Sequence, residues 1–154
     1  MRMKRNTLNF WVDVSLFILL SLSVLTVLPE ALTHSMIHAV PGLLLIGGVG
    51  LHLWLHRKWI TTTARRFNSL SGRARRTAGL NALLLVVYLA CAAMGLAARS
   101  HLDTFPLHFA FGVRHLFLAL LLLVLQITHI ARHWSWITAT FQRVMDTRTT
   151  PRAI

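Results

Sequence analysis

His38 and His52 stand fourteen residues apart in one apolar stretch of this chain, and His115 and His129 repeat the spacing in another. Fourteen residues of α-helix advance about 21 Å and return to within about 40° of the starting azimuth. As helices, the two stretches therefore each offer two imidazoles on one face, at two depths of an apolar slab roughly 30 Å thick. An ionisable group inside a membrane is costly, so four of them at matched spacing need a chemical reason. Two such helices side by side would form two pairs of facing imidazoles. One imidazole on each side of an iron is how a b-type haem is held. The expected iron ligands are His38 with His115 at the outer level and His52 with His129 at the inner level. Two haems stacked in this way would carry electrons between the membrane faces.

The helices that must hold these residues are legible in the hydropathy. Of 154 residues, 55% are hydrophobic and only 13% charged, and the mean hydropathy is +0.61. That is far too apolar for a water-soluble domain of this size. Apolar blocks at 10–28, 36–58, 80–98 and 109–137 are each long enough to span a bilayer. The fold class they predict is all-α: an integral membrane four-helix bundle running up-down-up-down, one domain over 1–154.

The formal net charge of +12 suggests nucleic acid, but its distribution excludes that reading. Of the sixteen Lys and Arg, Arg2, Lys4 and Arg5 precede the first block. Arg57, Lys58, Arg65, Arg66, Arg73, Arg75 and Arg76 lie between the second and third. Arg132, Arg143, Arg148 and Arg152 lie at the C-terminal end. Only Arg99 and Arg114 are left for the opposite side, with Glu30 and Asp103 beside them. This is the positive-inside pattern, which predicts both termini and the middle segment in the cytoplasm, against anionic lipid. The first block is read as a retained helix. It is long for a signal sequence, and Pro29-Glu30-Ala31-Leu32 follows it where a small-residue cleavage site would stand. The single cysteine, Cys91, allows no disulfide within the chain. No C-x-x-C-H occurs, so any haem is held without thioether bonds.

The second half repeats the first. A shift of 77 residues carries His38 to His115, His52 to His129, His56 to His133, Trp59 to Trp136 and Ile60 to Ile137. Leu8-Asn9 opens the first helix as Leu80-Asn81 opens the third, at a shift of 72. The repeats are helical hairpins over 8–60 and 80–137, joined by a basic, Ser-, Thr- and Gly-rich linker over 61–79. Pro29 ends the first helix, and Pro41 falls in the first turn of the second, where a missing N–H costs least. Trp59, Trp134 and Trp136 stand where an interfacial aromatic belt is expected.

Other residues could serve the same site. His56 is eighteen residues from His38 and nearly in phase with it, so it could replace His52 as ligand, with His133 replacing His129. Depth favours His52 and His129, because the lower level falls among headgroups. His56 and His133 then become candidate partners of a haem propionate, together with Arg57, Arg114 and Arg132. Those arginines serve equally well as interfacial anchors. Gly42 follows His38 by one turn, Gly47, Gly48 and Gly50 approach His52, and Ala119 follows His115 by one turn. These small residues would let a flat ring pack closely. Asn9 and Asp13, one turn apart, are expected to bond each other or a neighbouring helix. His34, His101 and His108 belong to the outer ends, as solvated groups or as acceptors of a quinol proton.

Paired helices that each carry two histidines with thirteen residues between them resemble the di-haem cores of respiratory cytochrome b proteins. Leu8-Asn9 with Asp13, His38 with Gly42, and His52-Leu-Trp-Leu-His56-Arg-Lys-Trp59 are similar to a short bacterial membrane cytochrome b family long carried as a domain of unknown function. The resemblance covers all four spans. The second half departs from it at Leu85, where an acidic partner to Asn81 would fall. That family is associated with flavinylated electron-transfer proteins. The resemblance implies two haem b groups in a bacterial inner membrane, and electron transfer between a quinone or a cytoplasmic donor and a flavin- or haem-containing protein on the other face. Such a chain is an electron-transfer subunit more than an enzyme by itself. The competing reading is a non-redox membrane protein, such as a metal-ion transporter using His52, His56, His129 and His133.

Overall fold

The structure, a computed structural model, describes residues 2–27, 36–100 and 105–149. It contains four long helices and no strand among the described residues. Helix α1 is Arg2–Leu25 and α2 is Ala39–Arg65. A 3₁₀ turn follows at Phe67–Ser69, then α3 at Gly72–Ser100 and α4 at Phe105–Thr149. All four are long and apolar enough to cross a membrane. Their outward faces carry large apolar side chains, such as Val86, Phe117 and Val124 at 62%, 68% and 60% exposure. Such faces suit hydrocarbon and not water. The chain is a multi-pass membrane protein.

Polar residues within the spans are reconciled to that setting locally. The hydroxyls of Ser15, Ser21 and Thr128 each donate to the carbonyl one turn back, at 2.9, 2.8 and 2.9 Å. No donor is then left facing hydrocarbon at these positions.

Packing divides the chain into two compact units, Met1–Thr61 with Trp134–Ile154, and Thr62–His133. In the first, α1 and α2 are antiparallel: Asp13 meets His52, while Ser23, further along α1, meets His38 near the start of α2. The helices approach closely at Gly48, where a Cβ would lie 2.7 Å from Leu16 Cδ2. Phe10, Leu45 and Leu55 are buried in this unit, and the Phe10 ring packs 6.3 Å from that of Phe141. In the second unit α3 and α4 are antiparallel, with Asn81 against His129, Cys91 against His115 and Ala98 against His108. Its buried residues include Val87, Tyr88, Cys91, Ala98 and Leu122.

Several boundaries differ from those read in the hydropathy. The helices α1 and α3 begin at Arg2 and Gly72, ahead of their Leu-Asn dipeptides. Of the expected linker 61–79, only the segment between Arg65 and Gly72 connects helices. Helix α4 continues past 137 to Thr149, about 68 Å at 1.5 Å per residue, well beyond one bilayer thickness. The reason is common to all three. Hydropathy marks where the apolar slab ends, whereas Arg, Ala, Gln and Met continue a helix comfortably in water. His38 lies in the turn just before α2, but the amide of Gly42 donates to its carbonyl at 3.2 Å, so it keeps helical register with His52. Pro41 sits in the first turn of α2, as expected. Pro29, Glu30, His34, His101 and Asp103 lie outside the described residues.

Candidate functional site

Each of the four histidines singled out by spacing is held by the helix that precedes it in its own hairpin. The Nδ1–H of His38 donates to the carbonyl of Ser23 at 2.7 Å, and that of His115 to the carbonyl of Cys91 at 2.8 Å. The Nδ1–H of His52 donates to Oδ1 of Asp13 at 2.8 Å, and that of His129 to Oδ1 of Asn81 at 3.0 Å. All four acceptors are oxygens with no proton to give. They place the proton on Nδ1, which leaves the lone pair of the neutral ring on Nε2. That is the tautomer that ligation through Nε2 requires, with the ring orientation held from behind. His108 has the same arrangement toward the carbonyl of Ala98 at 2.9 Å, so a backbone anchor alone does not single out a ligand. The side-chain anchors of His52 and His129 do, because each uses one of the few polar side chains within α1 and α3.

These contacts define the repeat more sharply than residue identity does. The histidines are related by a shift of 77, whereas their acceptors, Asp13 with Asn81 and Ser23 with Cys91, are related by 68. The Leu-Asn dipeptides suggested 72. The four-residue difference is about one helical turn, so Asn81 answers to Asp13 and not to Asn9. The apparent loss of an acidic partner at Leu85 is therefore resolved: the contact is retained through Asn81, as an amide. Asp13 bonds a neighbouring helix, as one of the two expectations for it had it, while Oδ1 of Asn9 is buried with no hydrogen-bond partner.

His56 and His133 follow the same repeat. Their rings lie 4.6 and 4.7 Å from those of His52 and His129, tilted by 36° and 44°. The Nε2 of His133 is buried with no hydrogen-bond partner, which suits a group that would accept or donate there. The three arginines each bond a residue of their own unit. Arg57 donates to the carbonyl of Trp54 at 2.9 Å and stacks 4.3 Å over its ring. Arg132 donates to Oγ1 of Thr77 at 3.3 Å, and Arg114 to the carbonyl of Ala110 at 3.4 Å. Trp59, Trp134 and Trp136 are exposed, as belt residues would be.

Spacing did not find Ser23, Asn81, Cys91 or Gly95 as contributors. Gly95 lies one turn beyond Cys91 on α3, and a Cβ there would stand 2.9 Å from Cε1 and 3.0 Å from Nδ1 of His115. It makes room for that ring. Gly42, Gly47 and Gly50 have nothing within 4 Å of a Cβ and do no comparable work within their unit.

The donor atoms of Asp13, His52 and His56 all lie within 4.8 Å of one another, which could hold a metal ion directly. No equivalent three-residue group forms around His129 among the described residues, because Asn81 replaces the carboxylate. Comparison with protein-family models, with curated proteins and with solved structures finds no match to this chain.

Proposed function

We propose that this protein moves electrons across a membrane through two b-type haems, one held by His38 and His115, the other by His52 and His129. The observation that carries this reading is the shared anchoring of the four rings. Every one has its Nδ1 proton engaged by an oxygen of the preceding helix, at equivalent places in two repeats. A packing histidine needs one partner for either nitrogen; four rings fixed in the same tautomer at matched spacing suit a common ligand chemistry. When bound, haem supplies a one-electron couple at each level. The chain's own contribution is to hold four imidazoles, to exclude water with apolar helices, and to set the basicity of each ring. His56 and His133, beside the lower rings, are the residues placed to meet a propionate. The electron donor and acceptor are a quinone or a flavin- or haem-containing protein. A pyridine haemochrome assay on purified protein is expected to give about two haems per chain; a value near one reduces the reading to one site, and none overturns it.

The charge distribution supports a cytoplasmic location for both termini. Reporter fusions at either end are expected to be active only on the cytoplasmic side. Periplasmic activity would exchange the outer and inner assignments.

A second reading rests on the grouping of Asp13, His52 and His56, which offers an imidazole-carboxylate set suited to zinc, nickel or copper. Metal analysis together with a visible spectrum separates the two: a colourless protein with about one bound transition metal per chain favours the second.

A further inference from the structure

The two hairpins anchor their lower histidines with different chemistry. On α1 the acceptor is the carboxylate of Asp13; on α3 it is the amide of Asn81. The upper histidines, His38 and His115, both rest on backbone carbonyls. The Cys91 thiol also lies 3.5 Å from Nδ1 of His115, but among the described residues the carboxylate of Asp13 is the one found behind a ligand, at His52. A hydrogen bond to a carboxylate is shorter and roughly twice as strong as one to a neutral oxygen, and it draws the Nδ1 proton away from the ring. The ring becomes a stronger donor at Nε2, which favours the ferric over the ferrous iron. The negative charge itself acts in the same direction.

We infer that Asp13 is a positioning residue that makes the haem held by His52 and His129 the more reducing of the two, so that electrons run downhill from this level to the level of His38 and His115. The inference rests on the di-haem reading above. Asn81 is the neutral counterpart of Asp13 in the second repeat, and it keeps the asymmetry to one carboxylate. Arg57, five residues after His52, and Arg132, three after His129, carry the opposite charge, but both are exposed and turned onto Trp54 and Thr77. Solvent and salt screen them, whereas the Asp13 bond reaches the ring directly.

The test is a potentiometric titration of the purified full-length protein, followed in the visible spectrum, for the unaltered chain and four variants. The unaltered chain is expected to give two waves, and His52→Ala is expected to remove the lower one. Asp13→Asn is expected to keep both haems and raise the lower wave, by on the order of tenfold in the reduction equilibrium, or ~59 mV for a one-electron couple. Asn81→Asp is expected to lower the same wave, leaving the other in place. The exchange variant Asp13→Asn with Asn81→Asp restores one carboxylate to the same iron, and is expected to return the wave toward its original position. A merely structural role for Asp13 would not produce opposite shifts from the two single variants, nor their cancellation. Two haems with waves that do not respond to either substitution overturn the inference while leaving the di-haem reading intact, as does loss of the upper wave in His52→Ala. Absence of haem in the unaltered protein overturns both.

Discussion

His52→Ala should halve the haem content, from about two groups per chain to about one, and leave the spectrum of the remaining group unchanged. Two arguments converge on this residue and not on His56. Depth is the first: an interior His52 keeps the macrocycle within the apolar slab, and a ligand one turn lower exposes it to headgroups and water. Anchoring is the second. His52 is tied through Nδ1 to Asp13, and its repeat counterpart His129 is tied through Nδ1 to Asn81. Removing the imidazole deletes one of the two residues that would hold that haem. His56→Ala should retain both haems, with at most a shifted potential at the His52 level, because its ring stacks 4.6 Å from that of His52. Haem assays and redox titration of the two variants decide it. If His56→Ala loses a haem and His52→Ala does not, the lower ligand pair is one turn further along α2 and α4.

Gly95→Ala should cost the other haem. A Cβ at this position stands 2.9 Å from Cε1 and 3.0 Å from Nδ1 of His115, so the ring must move. That ring is not a loose side-chain end, because its Nδ1 donates at 2.8 Å to the carbonyl of Cys91 on the same helix face. Displacing it breaks the anchor and swings Nε2 away from the position proposed for ligation. The substitution is otherwise favourable to the helix, by roughly 1 kcal/mol in intrinsic propensity, so loss of haem would not reflect weakened secondary structure. Gly48→Ala is the matched control. Its Cβ would meet Leu16 Cδ2 at 2.7 Å, but that atom is the free end of a flexible side chain and can turn aside. Gly95→Ala is expected to hold about one haem per chain and Gly48→Ala about two. With His52→Ala added, Gly95→Ala should hold none. Full haem content with an unaltered spectrum in Gly95→Ala would show that His115 does not need its present position.

Hydropathy and spacing were sufficient for the class of the molecule. Four apolar blocks on a chain with few charges leave no alternative to membrane helices, because only a helix satisfies its backbone in hydrocarbon without a partner. The repeat of His38, His52 and His56 at His115, His129 and His133 was equally plain, since polar residues are rare enough in such blocks for their spacing to stand out. The sequence could also single out Asp13 as a carboxylate in a span. It could not say what Asp13 touches. The partners of the histidines come from α1 and α3, where the surroundings are interchangeable Leu, Val and Ala. An alignment resting on one Leu-Asn dipeptide drifted there by a turn without penalty, because four residues nearly preserve the helical face. Packing removed the freedom: antiparallel contact puts Asp13 beside His52 and Asn81 beside His129, and only that pairing shows that a carboxylate in one repeat is an amide in the other. Two of the acceptors, the carbonyls of Ser23 and Cys91, belong to the backbone and leave no mark on residue type. The helix ends were decided by the folded chain as well, because the polar residues of 61–79 and those beyond 137 mark the limit of the membrane and not the limit of the hydrogen-bonded helix.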